Sequence, residues 1–203
     1  MNRAPRFFST AIFLVLFGLV SGQASQQETF KSLKGQLLVA TGQVGDPRFS
    51  KSVIFLVEHS EAGAMGLIVN KVLAKTTLKD LFERIGMDAP DRDDEFDIHF
   101  GGPVEISRVF MLHSIDRMGP HSEEVATGIA FAPVSELLEE IGNSRGPEHH
   151  LLLVGYAGWG PQQLEGEIDR GDWLTFEAEI PLVFAEKPEE TWIHLMEGKV
   201  FRL

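Results

Sequence analysis

Cysteine is absent from the 203 residues, which excludes disulfides, thiol catalysis and thiolate-held metals together. Positive charge is scarce: 18 Lys and Arg stand against 30 Asp and Glu, a formal net charge of -12. Nucleic-acid binding rests on neutralising phosphates with clustered cations, and no basic stripe or basic helix interrupts this acidic chain. Apolar runs of the about 20 residues needed to span a bilayer are missing too, as are repeats, low-complexity tracts and a linker dividing two domains. What remains, 43% hydrophobic and 24% charged residues, is the composition and length of one globular domain.

The first 24 residues differ from the rest. Arg3 and Arg6 precede an apolar run from Ala11 to Val20, and Gly22-Gln23-Ala24 supplies small residues before a cleavage point. This is the layout of a secretory signal peptide. The expectation is cleavage after Ala24 and an exported, periplasmic chain with no stable membrane span, retention as an anchor being the alternative. Without cysteine there is no lipid attachment there. Loss of Arg3 and Arg6 takes the net charge to -14.

Residues 25–34 are polar and read as a flexible lead-in, with one domain over residues 35–203. Ser52 to Glu58 and Ala64 to Asn70 read as a hairpin joined by five residues, His59 to Gly63. Val53, Phe55 and Val57 alternate with Ile54 and Leu56, so the first strand is apolar on both faces and central. A register pairing Glu58 with Ala64 pairs Ser52 with Asn70, separating Glu58 from Asn70 by about 20 Å. Leu78, Leu81, Phe82 and Ile85 have helical spacing, with Thr77 as N-cap and Gly86 past the end. Val134, Leu137, Leu138 and Ile141 repeat it after Pro133. Further helices are expected from Pro161, carrying Leu164 and Ile168 inward, and from Pro188 to Glu197. Strands are expected at 35–40, 96–100, 109–113, 127–131, 150–154 and 173–178. Mixed strands and helices without βαβ alternation indicate an α+β fold.

Six ordered blocks carry a likeness: Asp46-Pro47-Arg48-Phe49, Glu58-His59, Gly63 to Asn70, Gly101-Gly102-Pro103-Val104, Leu112-His113-Ser114, and Gly155-Tyr156-Ala157-Gly158-Trp159-Gly160 with Gln163-Leu164-Glu165. Together they resemble the bacterial YqgE/AlgH family over nearly all of residues 33–199. The resemblance implies a single compact domain with a bifurcated or barrel-like mixed sheet flanked by short helices, and no established chemistry. Family members usually lack an export signal. Val57 stands where a cysteine is common, and Lys71-Val72 where Arg-Pro often follows.

The glycine-rich segment 155–160 is placed between a strand and a helix start, where backbone N–H groups receive anions. Its G-x-x-G-x-G spacing differs from the dinucleotide fingerprint, leaving two readings, a tight packed turn or a recognition loop carrying Tyr156 and Trp159. Glu58 and His59 point to opposite faces of a strand and either anchor the turn or supply a base. Asp46, Arg48 and Asn70 are expected at one end of the sheet. His113-Ser114 invites a serine-hydrolase reading with Asp46 or Asp116, without a G-x-S-x-G elbow. His149-His150 with His121 lacks metal-ligand spacing and reads as a surface pair, and the acidic stretch Asp88 to Asp97 reads as a solvated loop.

Two functions follow. The first is a non-catalytic binding or regulatory module using Asp46, Arg48, Asn70, Gly101, Gly102, Pro103, His113, Tyr156, Trp159 and Gln163 toward a protein or small molecule, with no cofactor and no metal. The second is a hydrolase-like enzyme using His59, His113 or Ser114.

Overall fold

The computed structural model describes residues 30–200 apart from 87, 90, 92 and 93, so residues 1–24, expected to be a signal peptide, and residues 25–29 of the lead-in lie outside the described residues. In chain order the strands and helices are β1 (Gln36–Ala40), β2 (Val53–Ser60), β3 (Gly63–Ile68), β4 (Val72–Thr77), α1 (Leu78–Ile85), β5 (Glu95–Phe100), β6 (Val104–Ser114), β7 (Glu123–Ala126), β8 (Ile129–Pro133), α2 (Leu138–Gly142), β9 (His150–Trp159), α3 (Gln163–Asp169), β10 (Trp173–Glu177), α4 (Ile180–Val183) and α5 (Pro188–Val200).

One mixed sheet runs in the order β10-β1-β2-β3-β9-β6-β8-β7. It divides at β9. The second half of β9 pairs with β3 antiparallel, Met65 opposite Gly158, while its first half pairs with β5 in parallel, Ile98 opposite Leu152. The other edge of β9 takes β6, and β4 hangs on β5 alone. The sheet curls into a half-barrel with short helices, an α+β single domain.

β2 is central because both of its faces are apolar, and the structure uses both. Val53, Phe55 and Val57 enter a core with Leu67, Phe110 and Leu112 that α4 and α5 cover through Val183 and Leu195. Ile54 and Leu56 face the opposite way, onto Trp159, Leu164 and Trp173 under α3. A third cluster packs Leu78 and Phe82 of α1 and Leu138 of α2 against Met111 and Leu152.

Several sequence expectations are corrected. The β2–β3 pairing keeps the expected register from Ile54–Ile68 to Leu56–Gly66, then shifts by one at a bulge, so Ala64 faces His59 and not Glu58. The strands continue to Ser60 and Gly63, leaving Glu61-Ala62 as the turn; an extra residue on one strand advances the pairing beyond it by one. The helix expected from Val134 is instead a 3-10 turn, Val134–Glu136, followed by the short α2, because β8 stays paired through Pro133 opposite Phe110. Two edge strands with largely exposed side chains, β4 and β7, carried no alternation to mark them. Within the lead-in, Ser32 Oγ donates to the His59 carbonyl at 2.8 Å and the Leu33 N–H donates to His59 Nδ1 at 2.8 Å. His149 and His150 are half-buried rather than a surface pair, on opposite faces of the chain: His149 stacks on Phe184 at 5.7 Å and His150 tilts against Phe96 at 5.6 Å. The end of the acidic stretch is strand, where Lys75 of β4 lies 3.6 Å from Glu95.

Candidate functional site

The glycine-rich segment is not a loop. Gly155 to Trp159 belongs to β9, and the reason is a crossing of two main chains. After β5 the chain must pass over β9 to reach its other edge as β6, and it does so through Gly101-Gly102. The Gly101 N–H donates to the Val154 carbonyl at 2.9 Å. A Cβ on Gly102 would sit 2.1 Å from the Tyr156 carbonyl carbon, and one on Gly155 would sit 2.3 Å from the Gly102 carbonyl oxygen. Only residues without a Cβ pass at this distance. Gly101, Gly102 and Gly155 therefore build the division of the sheet.

What this crossing presents beside it is a cleft of about 350 Å³ between the turn before β2 and helix α3, lined by Asp46, Arg48, Pro103, Trp159, Gln163 and Trp173 among others. On one wall Asp46 caps the 3-10 turn Pro47–Phe49, accepting from Arg48 N at 2.9 Å. Its carboxylate also grips the Arg48 guanidinium, at 3.0 Å to Nε and 2.6 Å to Nη2. These bonds hold the Asp46 carboxyl below the ordinary carboxylate range and push the Arg48 pKa up. Asn70 supports this wall from behind: its Oδ1 accepts from Val53 N at 2.7 Å and its Nδ2 donates to the Lys51 carbonyl at 2.9 Å. Lys71 Nζ donates to the Arg48 carbonyl at 2.6 Å, and burial pushes the Lys71 pKa down.

The floor is built on Glu167. Trp159 Nε1 and Trp173 Nε1 both donate to its Oε2 at 2.8 Å, and Gln163 Nε2 donates to its Oε1 at 3.0 Å. The two indoles meet edge to face at 6.1 Å, and Phe49 meets Trp173 the same way at 5.9 Å. Trp159 is only 7% exposed, so it is a buried floor residue and not a loop-tip aromatic. Gln163 Oε1 accepts from Gly160 N at 3.1 Å, closing the entry to α3. Across the rim Arg170 pairs with Asp172 at 2.7 Å. The lining thus alternates two guanidiniums with carboxylates over an aromatic base.

The other candidates lie elsewhere. Tyr156 sits on a second recess of about 460 Å³, shared with Glu58, Met65 and one side of Trp159. Glu58 is exposed and His59 is buried, as strand alternation requires; His59 Nε2 faces Glu165 at 3.1 Å, serving the link between lead-in, β2 and α3. His113 and Ser114 end β6, on the far side of the sheet division. Ser114 Oγ donates to Asp116 and accepts from His149 N at 3.0 Å, so it does not engage His113. That bond holds the Asp116 carboxyl below its ordinary range. His113 Nδ1 instead donates to the Ser114 carbonyl at 2.9 Å, and Nε2 meets Ser122 Oγ at 3.0 Å. Among the described residues no group of three or more His, Asp or Glu is disposed to hold a metal ion, and no helix is long and apolar enough to cross a membrane.

Sequence reasoning missed Glu167, Arg170, Asp172, Trp173 and Ser122. Glu167 was within reach, since it stands four residues after Gln163 and therefore on the same helix face. Trp173 was not, because its approach to Trp159 is made by β10 and β9 lying on opposite sides of β1 to β3.

Comparison with known proteins agrees with this architecture. A family model described as AlgH-like (DUF179) matches residues 37–201. A UPF0301 protein of Jannaschia sp. (strain CCS1) is 44% identical over 163 residues, covering 79% of this chain and 84% of the relative. A UPF0301 protein of Methylococcus capsulatus is 42% identical over 158 residues, covering 78% and 86%. Among solved structures, the solution structure of the AlgH protein from Pseudomonas aeruginosa matches with a TM-score of 0.70 and 32% identity, over 85% of this chain and 92% of that one. Protein DIP2367 from Corynebacterium diphtheriae, at 22% identity and a TM-score of 0.66 over 84% and 89% of the two chains, shares the fold. With a family model over residues 37–201 and relatives 42–44% identical along most of both chains, the chain belongs to the AlgH-like family, UPF0301.

Proposed function

We propose that this protein is an exported, non-catalytic binding module whose recognition site is the cleft over Trp159 and Trp173. The observation that carries this reading is convergence: Asp46, Arg48, Pro103, Trp159 and Gln163, distant in sequence, line one cleft of ligand size. Arg48 beside Asp46 and Arg170 beside Asp172 offer charges of both signs at the rim, so the matching ligand is a small zwitterion whose carboxylate meets an arginine and whose ammonium meets an aspartate. The acidic balance of the chain leaves nucleic acid out of the proposal.

Tryptophan fluorescence titrated with a panel of amino acids and dipeptides tests it. Saturable quenching is expected in the parent and is expected to weaken at least about tenfold in Arg48→Ala, whose stability stays within about 0.5 kcal/mol because the residue is exposed. No saturable response across the panel, or equal affinity in the variant, rejects the site. Export is tested separately by intact mass of the chain from fractionated host cells: the expected species starts near Ser25 outside the cytoplasm, and a full-length cytosolic chain rejects that part.

A hydrolase reading is supported by one contact, the 3.0 Å approach of Ser122 Oγ to a His113 ring whose Nδ1 proton is held by the Ser114 carbonyl. Turnover of an ester panel that disappears in Ser122→Ala would favour it over binding.

A further inference from the structure

The sheet ends at β10, which pairs with β1 on one side, and among the described residues no strand pairs with its outer edge. Which of its backbone groups face outward follows from the register. Thr41 N–H donates to the Asp172 carbonyl at 2.9 Å, and the pairing runs on without a shift from Ala40–Trp173 to Gln36–Glu177. In an antiparallel ladder every second residue exchanges hydrogen bonds with a given neighbour strand. Leu174 and Phe176 therefore bond to β1, while the N–H and C=O groups of Thr175 and Glu177 point away from it. Such an edge is a template for another strand, which proteins commonly blunt with a bulge or a proline. β10 has neither.

Along this edge runs a groove of about 720 Å³, lined by Thr175, Phe176 and Glu177 of β10, Leu182 of α4 and Leu195 of α5. Phe176, Leu182 and Leu195 belong to one apolar cluster, so the apolar lining lies on the face of β10 that α4 and α5 cover. Thr175 and Glu177 alternate onto the other face. Residues directly opposite one another in adjacent strands share a face. A strand added beside β10 would thus turn the residue opposite Phe176 toward Leu182 and Leu195, and its neighbours toward Thr175 and Glu177. Glu177 and Glu179 are exposed along the groove, and no cation pairs with either among the described residues. The complementary chemistry is an extended segment that alternates apolar residues with lysine or arginine. A second copy of this chain is a poorer fit, because it brings a net charge of -12 and the same acidic edge.

We propose that β10 is a docking edge for an extended basic peptide, which joins the sheet as a further strand. Its backbone bonds to Thr175 and Glu177, its apolar residues pack toward Phe176 and Leu195, and its cations meet Glu177 and Glu179. The groove shares no lining residue with the Trp159 cleft, so either proposal stands if the other fails.

The probe is a capped heptapeptide alternating lysine and valine, titrated into the full chain at physiological salt and read by backbone amide NMR. Saturable shifts and slowed exchange of the Thr175 and Glu177 amides are expected. Replacing the lysines by glutamate, or methylating the peptide's backbone nitrogens, should each weaken binding by about tenfold or more. Thr175→Pro removes an outward donor and leaves the ladder to β1 intact, since proline is tolerated on the free side of an edge strand. It should bind about tenfold more weakly, as should Glu177→Lys, whose exposed position keeps the test readable if the proline variant does not fold. Absence of a saturable shift overturns the proposal. So does equal binding of the glutamate or methylated peptide, unchanged affinity in the folded variants, or shifts that map elsewhere. Shifts of the same amides that depend on chain concentration without peptide would overturn it too, assigning the edge to a second copy.

Discussion

At Glu167 a single half-buried carboxylate takes hydrogen bonds from Trp159, Trp173 and Gln163, which joins β9, β10 and α3 at one point. Truncating Trp159 removes a buried indole from the cluster around Leu56 and Leu164 and leaves one of those bonds unmade. Trp159→Ala should therefore lower stability by about 3 to 5 kcal/mol in urea unfolding, whereas Trp159→Phe, which keeps most of the volume, should lose clearly less. A change below about 1 kcal/mol for the alanine variant would contradict the packing described. Trp159 stood out in the sequence through its glycine neighbours, but those glycines point to a loop when read locally. At Gly155 the actual cause is a second backbone passing at contact distance, that of Gly101 and Gly102 some fifty residues away, and no local pattern carries that information.

Among the elements, α1 was the most legible, because everything that defines it is local. Thr77 Oγ1 accepts from Asp80 N at 3.1 Å, Gly86 ends the helix at φ 73°, and Leu78 and Phe82 face the core. Thr77→Ala should cost about 1 kcal/mol by loss of the cap, measured by the urea midpoint at constant slope; Thr77→Ser should restore most of it. The segment after Pro133 shows the opposite case. Leu137, Leu138 and Ile141 are buried as their spacing requires, yet the backbone is a 3-10 turn and a five-residue helix. Periodicity reported which side chains go inside, and the pairing of β8 up to Pro133 decided how late the helix starts. β4 and β7 were illegible for a related reason: edge strands with exposed side chains draw their stability from partner hydrogen bonds, not from an apolar pattern.

For the whole molecule, the absence of disulfides leaves three apolar clusters and a set of buried polar groups to hold the half-barrel. That makes stability depend on pH in a definite direction. Burial lowers the pKa of His99 and His150 in the folded chain, so the unfolded chain binds protons more readily than the folded one. Their contribution is complete above the ordinary value of about 6.5 and declines as pH falls below it toward the depressed folded values. The urea midpoint should fall between pH 7 and pH 5, and His150→Phe should flatten that fall; a midpoint rising with acidity would contradict it. Further down, Asp46, Asp116 and Glu140, each held below the ordinary carboxylate range by a side-chain hydrogen bond, lose their contribution as they protonate. From its sequence alone this protein has an α+β domain, a two-faced central strand β2, a capped α1 and a membership legible in six ordered motifs, because composition, periodicity and capping act over a few residues. The division of the sheet at β9, the meeting of Trp159 with Trp173 and the burial of His99 were decided only in three dimensions, because each arises where segments far apart in the chain are brought within contact of one another.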